Sequence, residues 1–158
     1  MSIQEVKNNS EFYHIFRNKI PPEYGKTIHT NTFSKITYDT PLRNRRENIA
    51  EKYRNNFFPD YPSRLHCFYV CKKETLPFWL ESLGDTYTIV KVKLTGVIYW
   101  LDSYYYDSEE PEKYWNGNIM DNNSVEGLFV GEFISLEDCT AQILKDLEMN
   151  IDTVPNIV

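Results

Sequence analysis

The sequence has few cysteines and lacks long apolar segments. Its 158 residues contain three cysteines, Cys67, Cys71 and Cys139. An odd number of cysteines, without an apolar signal sequence before them, indicates free thiols in a reducing compartment. No run of about 18 apolar residues occurs, so we expect no membrane-spanning helix. Together these absences predict a cytoplasmic protein.

Excess positive charge is also lacking. The formal net charge is −6 and the isoelectric point is about 5.1. This argues against a general nucleic-acid-coating protein, which needs a basic face. One segment is locally basic, and it contains Arg43, Arg45, Arg46, Lys52 and Arg54. Charged helices are common, so this segment is interpreted as a solvated helix face, with a local basic patch as the alternative.

The common catalytic and metal-binding motifs are missing as well. There is no P-loop, no dinucleotide-binding glycine motif and no His-Glu-x-x-His. A zinc site made of His66 and the three cysteines would fit no standard ligand spacing, so no metal is expected. A cysteine nucleophile is not expected either, because adjacent residues of a strand, such as His66 and Cys67, point to opposite faces.

What the chain does contain is enough apolar and aromatic material for one core. Hydrophobic residues make up 41% of the sequence and aromatic residues 15%. The length is that of one domain. We expect a flexible N-terminus over residues 1–10, a single domain over 11–150 and a tail over 151–158.

The order of predicted elements mixes helices and strands. Proline at position 41 suits the first turn of a helix that ends before Pro59, with an apolar stripe from Leu42 to Phe57. Pro77 suits the first turn of a second helix. Strands are predicted at 65–70, 87–94, 97–101 and 125–134, with a turn at Gly96 between the second and third. Residues 135–138 match a capping box that opens a last helix ending near residue 150. This order favours the α+β class.

Three polar residues on predicted strands are candidates for a site. His14 shares a strand face with Phe12 and Phe16, which suits the wall of a cleft, although a histidine with a structural role on an edge strand is the alternative. Glu126 and Glu132 have the same parity on the last strand. Six residues separate them by roughly 20 Å, so they cannot act as a pair and at most one is catalytic. Alternatively, both face solvent.

Several short motifs occur in an order that resembles the ADP-ribosyltransferase-like superfamily. They are Phe12–Arg17 in a first strand, Ser63-Arg64 and Phe68–Val70 in a middle strand, a following helix with Trp79, the element Tyr114-Trp115-Asn116-Gly117, and Glu126–Val130 in a late strand. The chain resembles in particular a small bacterial family of uncharacterised domains within that superfamily. It is distantly similar to the DNA-modifying ADP-ribosyltransferase toxins.

The resemblance implies a split, strongly bent β-sandwich surrounded by helices, with NAD bound as a substrate between the two halves. By analogy, His14 or Arg17 would hold the adenosine side. Arg64, preceded by Ser63 in the same turn, would bind the diphosphate. Tyr69 would stack on nicotinamide, and Trp79 would be a second stacking ring. The catalytic carboxylate would be Glu126, with Glu132 as its rival because Gly127 stands where the family has an apolar residue.

The same resemblance implies transfer of ADP-ribose to an unknown macromolecular acceptor, either protein or nucleic acid. A Glu-x-Glu pair is missing, so arginine modification is not expected. An antitoxin or effector partner is part of this expectation. Two alternatives stay open: a non-catalytic nucleotide- or partner-binding module on the same fold, and RNA 2′-phosphate transfer to NAD.

Overall fold

The computed structural model describes residues 3–17, 23–38, 40–83 and 86–153. Its five strands are β1 (Ile3–Arg17), β2 (Thr27–His29), β3 (Phe68–Lys72), β4 (Tyr87–Asp102) and β5 (Val125–Asp138). Its five α-helices are α1 (Pro41–Phe57), α2 (Leu76–Leu83), α3 (Ser103–Asp107), α4 (Pro111–Trp115) and α5 (Thr140–Thr153). None of these helices is long and apolar enough to cross a membrane.

All strand pairings are antiparallel, and four strands pair in a closed circuit. β1 pairs with β3 and β4, and β5 also pairs with β3 and β4. The short β2 is added at the outer side of β5. The predicted α+β class is therefore confirmed, with long bent strands in place of several short ones.

Two glycines allow the long strands to bend and approach each other. Gly96 of β4 lies opposite Gly131 of β5, and their φ angles are +155° and +146°. A Cβ atom on Gly96 would lie 2.2 Å from the carbonyl oxygen of Val130. Only glycine fits such a backbone conformation and contact. The predicted turn at Gly96 is therefore wrong: the glycine bends one continuous strand.

The core has three parts. Side chains enclosed by the strands form the first part, which consists of Val6, Phe12, Phe68, Val70, Val90, Val92, Leu94, Ile98, Phe129 and Phe133. Helices α1, α3 and α4 pack on Leu101 and Leu128 to form the second part. Helices α2 and α5 contribute Leu76 and Ile143 to the third. Burial of these apolar groups is the main force that holds the helices against the sheet.

Both predicted chain ends need correction. Residues 3–10 do not form a flexible N-terminus, because they belong to β1 and Ile3 pairs with Tyr99. Residues 135–138 form no capping box, because they lie in β5; the carboxylate of Asp138 instead accepts hydrogen bonds from the N–H and hydroxyl of Thr140. Helix α5 continues through Thr153, so the predicted tail is wrong for 151–153, and 154–158 lie outside the described residues.

The prediction for helix α1 is confirmed in its bounds but wrong in its inward face. Thr40 caps the helix by accepting a hydrogen bond from the N–H of Arg43. The ends of the predicted apolar stripe, Leu42 and Phe57, are 53% and 64% exposed. The buried residues of α1 are Glu47 and Ala50. A buried carboxylate on this face signals a polar partner in the interior.

Candidate functional site

A cleft of about 770 Å³ opens beside the C-terminal half of β1, strand β3 and the segment 33–38. Its size is that of a small-molecule or cofactor site. Six of the eight predicted site residues line it: His14, Arg17, Arg64, Tyr69, Trp79 and Glu126. The structure thus brings residues from both ends of the chain to one surface.

His14 is held in the cleft wall by contacts to β3, which packs in turn on β5. Its ring stacks on Phe68 with centroids 4.0 Å apart, and Phe68 stacks in turn on Phe133 at 4.0 Å. Nδ1 of His14 lies 2.5 Å from the carbonyl oxygen of Tyr69. Because a carbonyl only accepts, this nitrogen carries the proton. β1 lies between β3 and β4, so the predicted edge-strand position is wrong.

The floor of the cleft contains a buried arginine between two carboxylates. Arg64 is only 4% exposed. Its Nη1 donates to Oε2 of Glu126 at 2.5 Å, and its Nε donates to Glu47 at 3.2 Å. A buried arginine of this kind needs such partners, since an uncompensated buried charge is strongly destabilising.

Two tyrosines complete this group of side chains. The Tyr114 hydroxyl accepts from Nη1 of Arg64 at 2.5 Å and donates to Oε2 of Glu126 at 2.8 Å. The Tyr106 hydroxyl donates to Oε1 of Glu47 at 2.8 Å, and the Arg64 guanidinium lies 3.8 Å from the Tyr106 ring centre. We name Glu47, Arg64, Tyr106, Tyr114 and Glu126 the Arg64 cluster. It joins helices α1, α3 and α4 to strand β5.

The electrostatics of the Arg64 cluster keep the arginine charged and the phenols neutral. Burial by itself lowers the pKa of Arg64, but Glu126 and the other anionic neighbours raise that pKa well above its ordinary value. Burial raises the pKa of Tyr69 and of Tyr114 well above the usual value. These hydroxyls therefore act as hydrogen-bond donors and not as phenolates.

Two polar atoms of the Arg64 cluster keep bonding capacity. Oε1 of Glu126 and Nη2 of Arg64 make no hydrogen bond to any residue that the structure describes. Oε2 of Glu126, in contrast, receives both Arg64 and Tyr114. The carboxylate is therefore fixed through one oxygen and can offer the other to a ligand hydroxyl or a developing positive charge.

Ser63 and Glu132 do not belong to the cleft lining. The Ser63 hydroxyl donates to Glu51 and accepts from the N–H of Leu65, so it stabilises the turn that carries Arg64. Glu132 is exposed and pairs across the sheet with His29 and Thr95. Of the two candidate carboxylates, the cleft contains Glu126 only.

Gly127 explains how Glu126 reaches its position. A Cβ atom on Gly127 would lie 2.8 Å from side-chain atoms of Val70, Ile98 and Trp100. Only a residue without a side chain allows β5 to pack this closely beside β3 and β4. Gly127 therefore serves the packing next to the carboxylate.

Neither the buried thiols nor a metal cluster offers other chemistry here. Cys67 lines the cleft, but burial raises its pKa to about 12, and burial raises the pKa of Cys71 to about 12 as well. A thiol with such a pKa is not a nucleophile near neutral pH. Within the described ranges, no three His, Cys, Asp or Glu side chains are grouped so that they could hold a metal ion.

Sequence reasoning missed Glu47, Tyr106 and Tyr114 as members of the site. Glu47 has the appearance of one more surface charge on a helix with seven charged side chains among 17 residues. A signal existed in the placement of Ala50 three residues later, whose carbonyl accepts the indole N–H of the buried Trp115. A small residue at that spacing marks the face on which another element packs closely.

Comparison with known proteins gives a family without an assigned activity. No curated protein matches the chain. One family model covers residues 4–141, which include strands β2 to β5, all of β1 except Ile3, and every residue of the Arg64 cluster. The chain belongs to this family, DUF2441, described as a protein of unknown function.

Proposed function

We propose that the cleft binds NAD and that the protein transfers ADP-ribose from NAD to a macromolecular acceptor, protein or nucleic acid. One observation carries the proposal: the Glu126 carboxylate stands in the cleft wall with Oε2 held by Arg64 and Tyr114, while no described residue donates to Oε1. A carboxylate fixed in this way is suited to a reaction in which positive charge develops on a sugar.

In the proposed reaction, the bond between the nicotinamide nitrogen and ribose C1 breaks, and nicotinamide leaves with the electron pair. Positive charge develops on the ribose, where the Glu126 carboxylate stabilises it and accepts a ribose hydroxyl. The acceptor nucleophile then bonds to C1 and releases its proton. Tyr114 and Arg64 hold the carboxylate in one orientation, because both donate to Oε2.

The remaining cleft residues supply contacts for the two halves of NAD. Tyr69 and Trp79 offer rings for the nicotinamide end, and His14 and Arg17 lie at the opening for the adenosine end. The indole N–H of Trp79 is buried and has no acceptor among the described residues, so a ligand carbonyl or hydroxyl could accept from it. The bent strands with helices on two sides are compatible with the split sandwich of ADP-ribosyltransferases.

A non-catalytic binding module is the second candidate, and the state of Arg64 favours it. This arginine already pairs with both Glu47 and Glu126. A ligand diphosphate could reach Arg64 only through Nη2, because Nε and Nη1 already donate to Glu47, Glu126 and Tyr114. In this alternative the cleft binds a nucleotide, or an antitoxin or effector partner, and Glu126 serves only to hold Arg64.

Nicotinamide release from NAD by the purified protein tests the proposal. We expect the wild type to release nicotinamide and Glu126→Gln to reduce the rate roughly 100-fold or more, as removal of one charge-stabilising group does elsewhere. Glu132→Gln is the matched control, since it changes the same residue type on the same strand outside the cleft, and its rate should stay within about twofold of the wild type.

NAD binding measured by calorimetry separates the two candidates. Binding without release, in the presence of cell extract as a source of acceptor, would support the binding module. If the protein neither binds NAD nor releases nicotinamide from it, both the NAD assignment and the transferase reaction are overturned. Equal loss of release in the two glutamate variants would show that Glu126 has no special part in the chemistry.

A further inference from the structure

The cleft has a charge opposite to that of the protein. The net charge of the chain is −6, yet the described lining contains Arg17, Lys35, Arg43 and Arg64 and a single carboxylate, Glu126. Arg64 and Glu126 pair with each other, which leaves three cationic side chains for a ligand. A positive cleft in an acidic protein concentrates anions at that place.

Arg43 is distinguished from the other arginines of helix α1 by its partners. Arg45 pairs with Glu109, Arg46 with Asp107, and Arg54 with Glu51. No described carboxylate lies within ion-pairing distance of Arg43. The other three arginines of α1 are therefore each neutralised by a carboxylate, whereas Arg43 has no described carboxylate partner.

Two tyrosine rings hold the Arg43 guanidinium at the cleft. Its central carbon lies 4.9 Å from the ring centre of Tyr38 and 5.9 Å from that of Tyr106. Arginine stacked on aromatic faces is ordered before a ligand arrives, while its N–H groups stay free for in-plane hydrogen bonds. Half-buried Arg43 is therefore better organised than the exposed Lys35 and Arg17.

Arg43 also lies next to the Arg64 cluster. The Arg64 guanidinium packs on the same Tyr106 ring, at 3.8 Å. A ligand in contact with Arg43 therefore shares the cleft with Glu126, which Arg64 holds. The two arginines differ in their partners: Arg64 is held by protein carboxylates through Nε and Nη1, whereas Arg43 has no described carboxylate partner.

We propose that Arg43 binds the phosphate groups of a nucleoside diphosphate moiety in the cleft, and that Arg64 does not touch the ligand but positions Glu126. This inference rests on the proposed function only in taking the ligand to contain such a diphosphate; it does not require cleavage of NAD. It replaces the residue implied by the resemblance, Arg64, with one that the resemblance does not mention. Lys35 and Arg17 add long-range attraction at the opening.

Calorimetric titration with ADP and with adenosine tests the assignment. The two probes differ only in the diphosphate, so the ratio of their affinities reports its contribution. For the wild type we expect ADP to bind at least about tenfold more tightly than adenosine, as charge-assisted hydrogen bonds to a guanidinium provide. Arg43→Gln should reduce this ratio to about twofold or less and leave adenosine binding unchanged.

Arg45→Gln is the matched control. It removes the same charge two residues further along the same helix, outside the cleft lining and already paired with Glu109. It should leave the ratio within about twofold of the wild type. Arg43→Lys, a second variant, keeps the charge but not the planar fork, and it should retain an intermediate ratio.

The outcomes separate this inference from the proposed transferase. If the wild type prefers ADP to adenosine, Arg43→Gln loses this preference and no nicotinamide is released from NAD, the Arg43 assignment stands and the transferase fails. If nicotinamide is released and Arg43→Gln binds ADP as well as the wild type, the assignment is overturned and the transferase stands. Equal affinity of the wild type for ADP and adenosine, or equal losses in the Arg43 and Arg45 variants, would also overturn it.

Discussion

Two buried carboxylates, Asp102 at the last position of β4 and Glu126 near the start of β5, lie at the same end of these paired strands and have different surroundings. Asp102 is fully buried and accepts from the N–H groups of Tyr104, Met120 and Asp121 and from the hydroxyl of Ser124. Its partners are mostly backbone groups of the chain that follows β4. Glu126 is 7% exposed and accepts from the side chains of two other elements.

The comparison distinguishes a structural carboxylate from a candidate functional one. Both oxygens of Asp102 are used to fix the backbone between α3 and β5. Only one oxygen of Glu126 is used, and the residue lines a cleft. A carboxylate that completes its hydrogen bonds within a loop determines local structure, whereas one that remains incomplete at a cavity is available for a ligand.

Arg64→Met should have the largest effect on stability, because it removes the buried cation that pairs with both Glu47 and Glu126. Glu47 and Glu126 would be left buried without a counter-ion, and we expect the free energy of unfolding to fall by about 3–5 kcal/mol. Urea denaturation at pH 7 measures the change.

A triple variant serves as the control for this prediction. Arg64→Met combined with Glu47→Gln and Glu126→Gln removes the unpaired charges together with the arginine, and it should recover part of the lost stability. A single Arg64→Met variant as stable as the wild type would contradict the view that the Arg64 cluster is a mutually dependent buried group.

Asp102→Asn should destabilise the protein by about 2 kcal/mol, because the amide group would face N–H donors in place of an acceptor oxygen. Burial by itself raises the pKa of Asp102, but hydrogen bonds from Ser124 and from the backbone lower it to below the ordinary value. Such a carboxyl stabilises the fold above its unfolded pKa of about 3.9, and this stabilisation is lost as pH falls through the folded pKa. The variant should therefore lose less stability than the wild type on acidification below about pH 4.

Removal of one hydroxyl donor from each carboxylate gives a matched pair of variants. Tyr114→Phe takes a donor from Glu126, and Ser124→Ala takes one from Asp102. Each should lower the free energy of unfolding by about 1.5 kcal/mol in chemical denaturation, as hydrogen bonds to charged groups do. Only Tyr114→Phe should reduce nicotinamide release from NAD; an equal reduction in both variants would indicate a general effect of lost stability.

The smallest expected effect is a difference in the labelling rates of two cysteines. The labelling rate of Cys67 reports whether the structure around Arg64 opens. Cys67 donates weakly to the carbonyl of Arg64 and is buried, whereas Cys139 is only partly buried. In the native protein, Cys139 should react with iodoacetamide, while Cys67 should react at a rate near that of global unfolding. Mass spectrometry of the labelled peptides measures both. Rapid labelling of Cys67 in the wild type would show that the cleft floor opens locally.

The sequence predicted the class of the fold and two of its helices better than its strand boundaries. Proline at the first turn and alternation of apolar residues are local signals, and they located α1, α2 and the later strands. Gly96 was read as a turn because the sequence does not reveal that Gly131 lies opposite it. Residues 3–10 lack an apolar pattern, and only pairing with β4 makes them a strand.

The sequence predicted which residues line the candidate site better than it predicted which of them contact each other. Six of the eight predicted residues line one cleft. Arg64, which was expected to bind a ligand diphosphate, pairs instead with two protein carboxylates. Its partner Glu47 was hidden among the charges of α1, because burial of a charged residue is decided by what packs on it.

By itself, the sequence determined the α+β class, the net charge of −6 and the presence of one carboxylate-bearing strand near the end. The tertiary structure decided which charges meet. Arg64 lies 17 residues from Glu47, 50 from Tyr114 and 62 from Glu126. Their contact depends on strand register and helix packing, which long-range burial selects and local residue spacing does not encode.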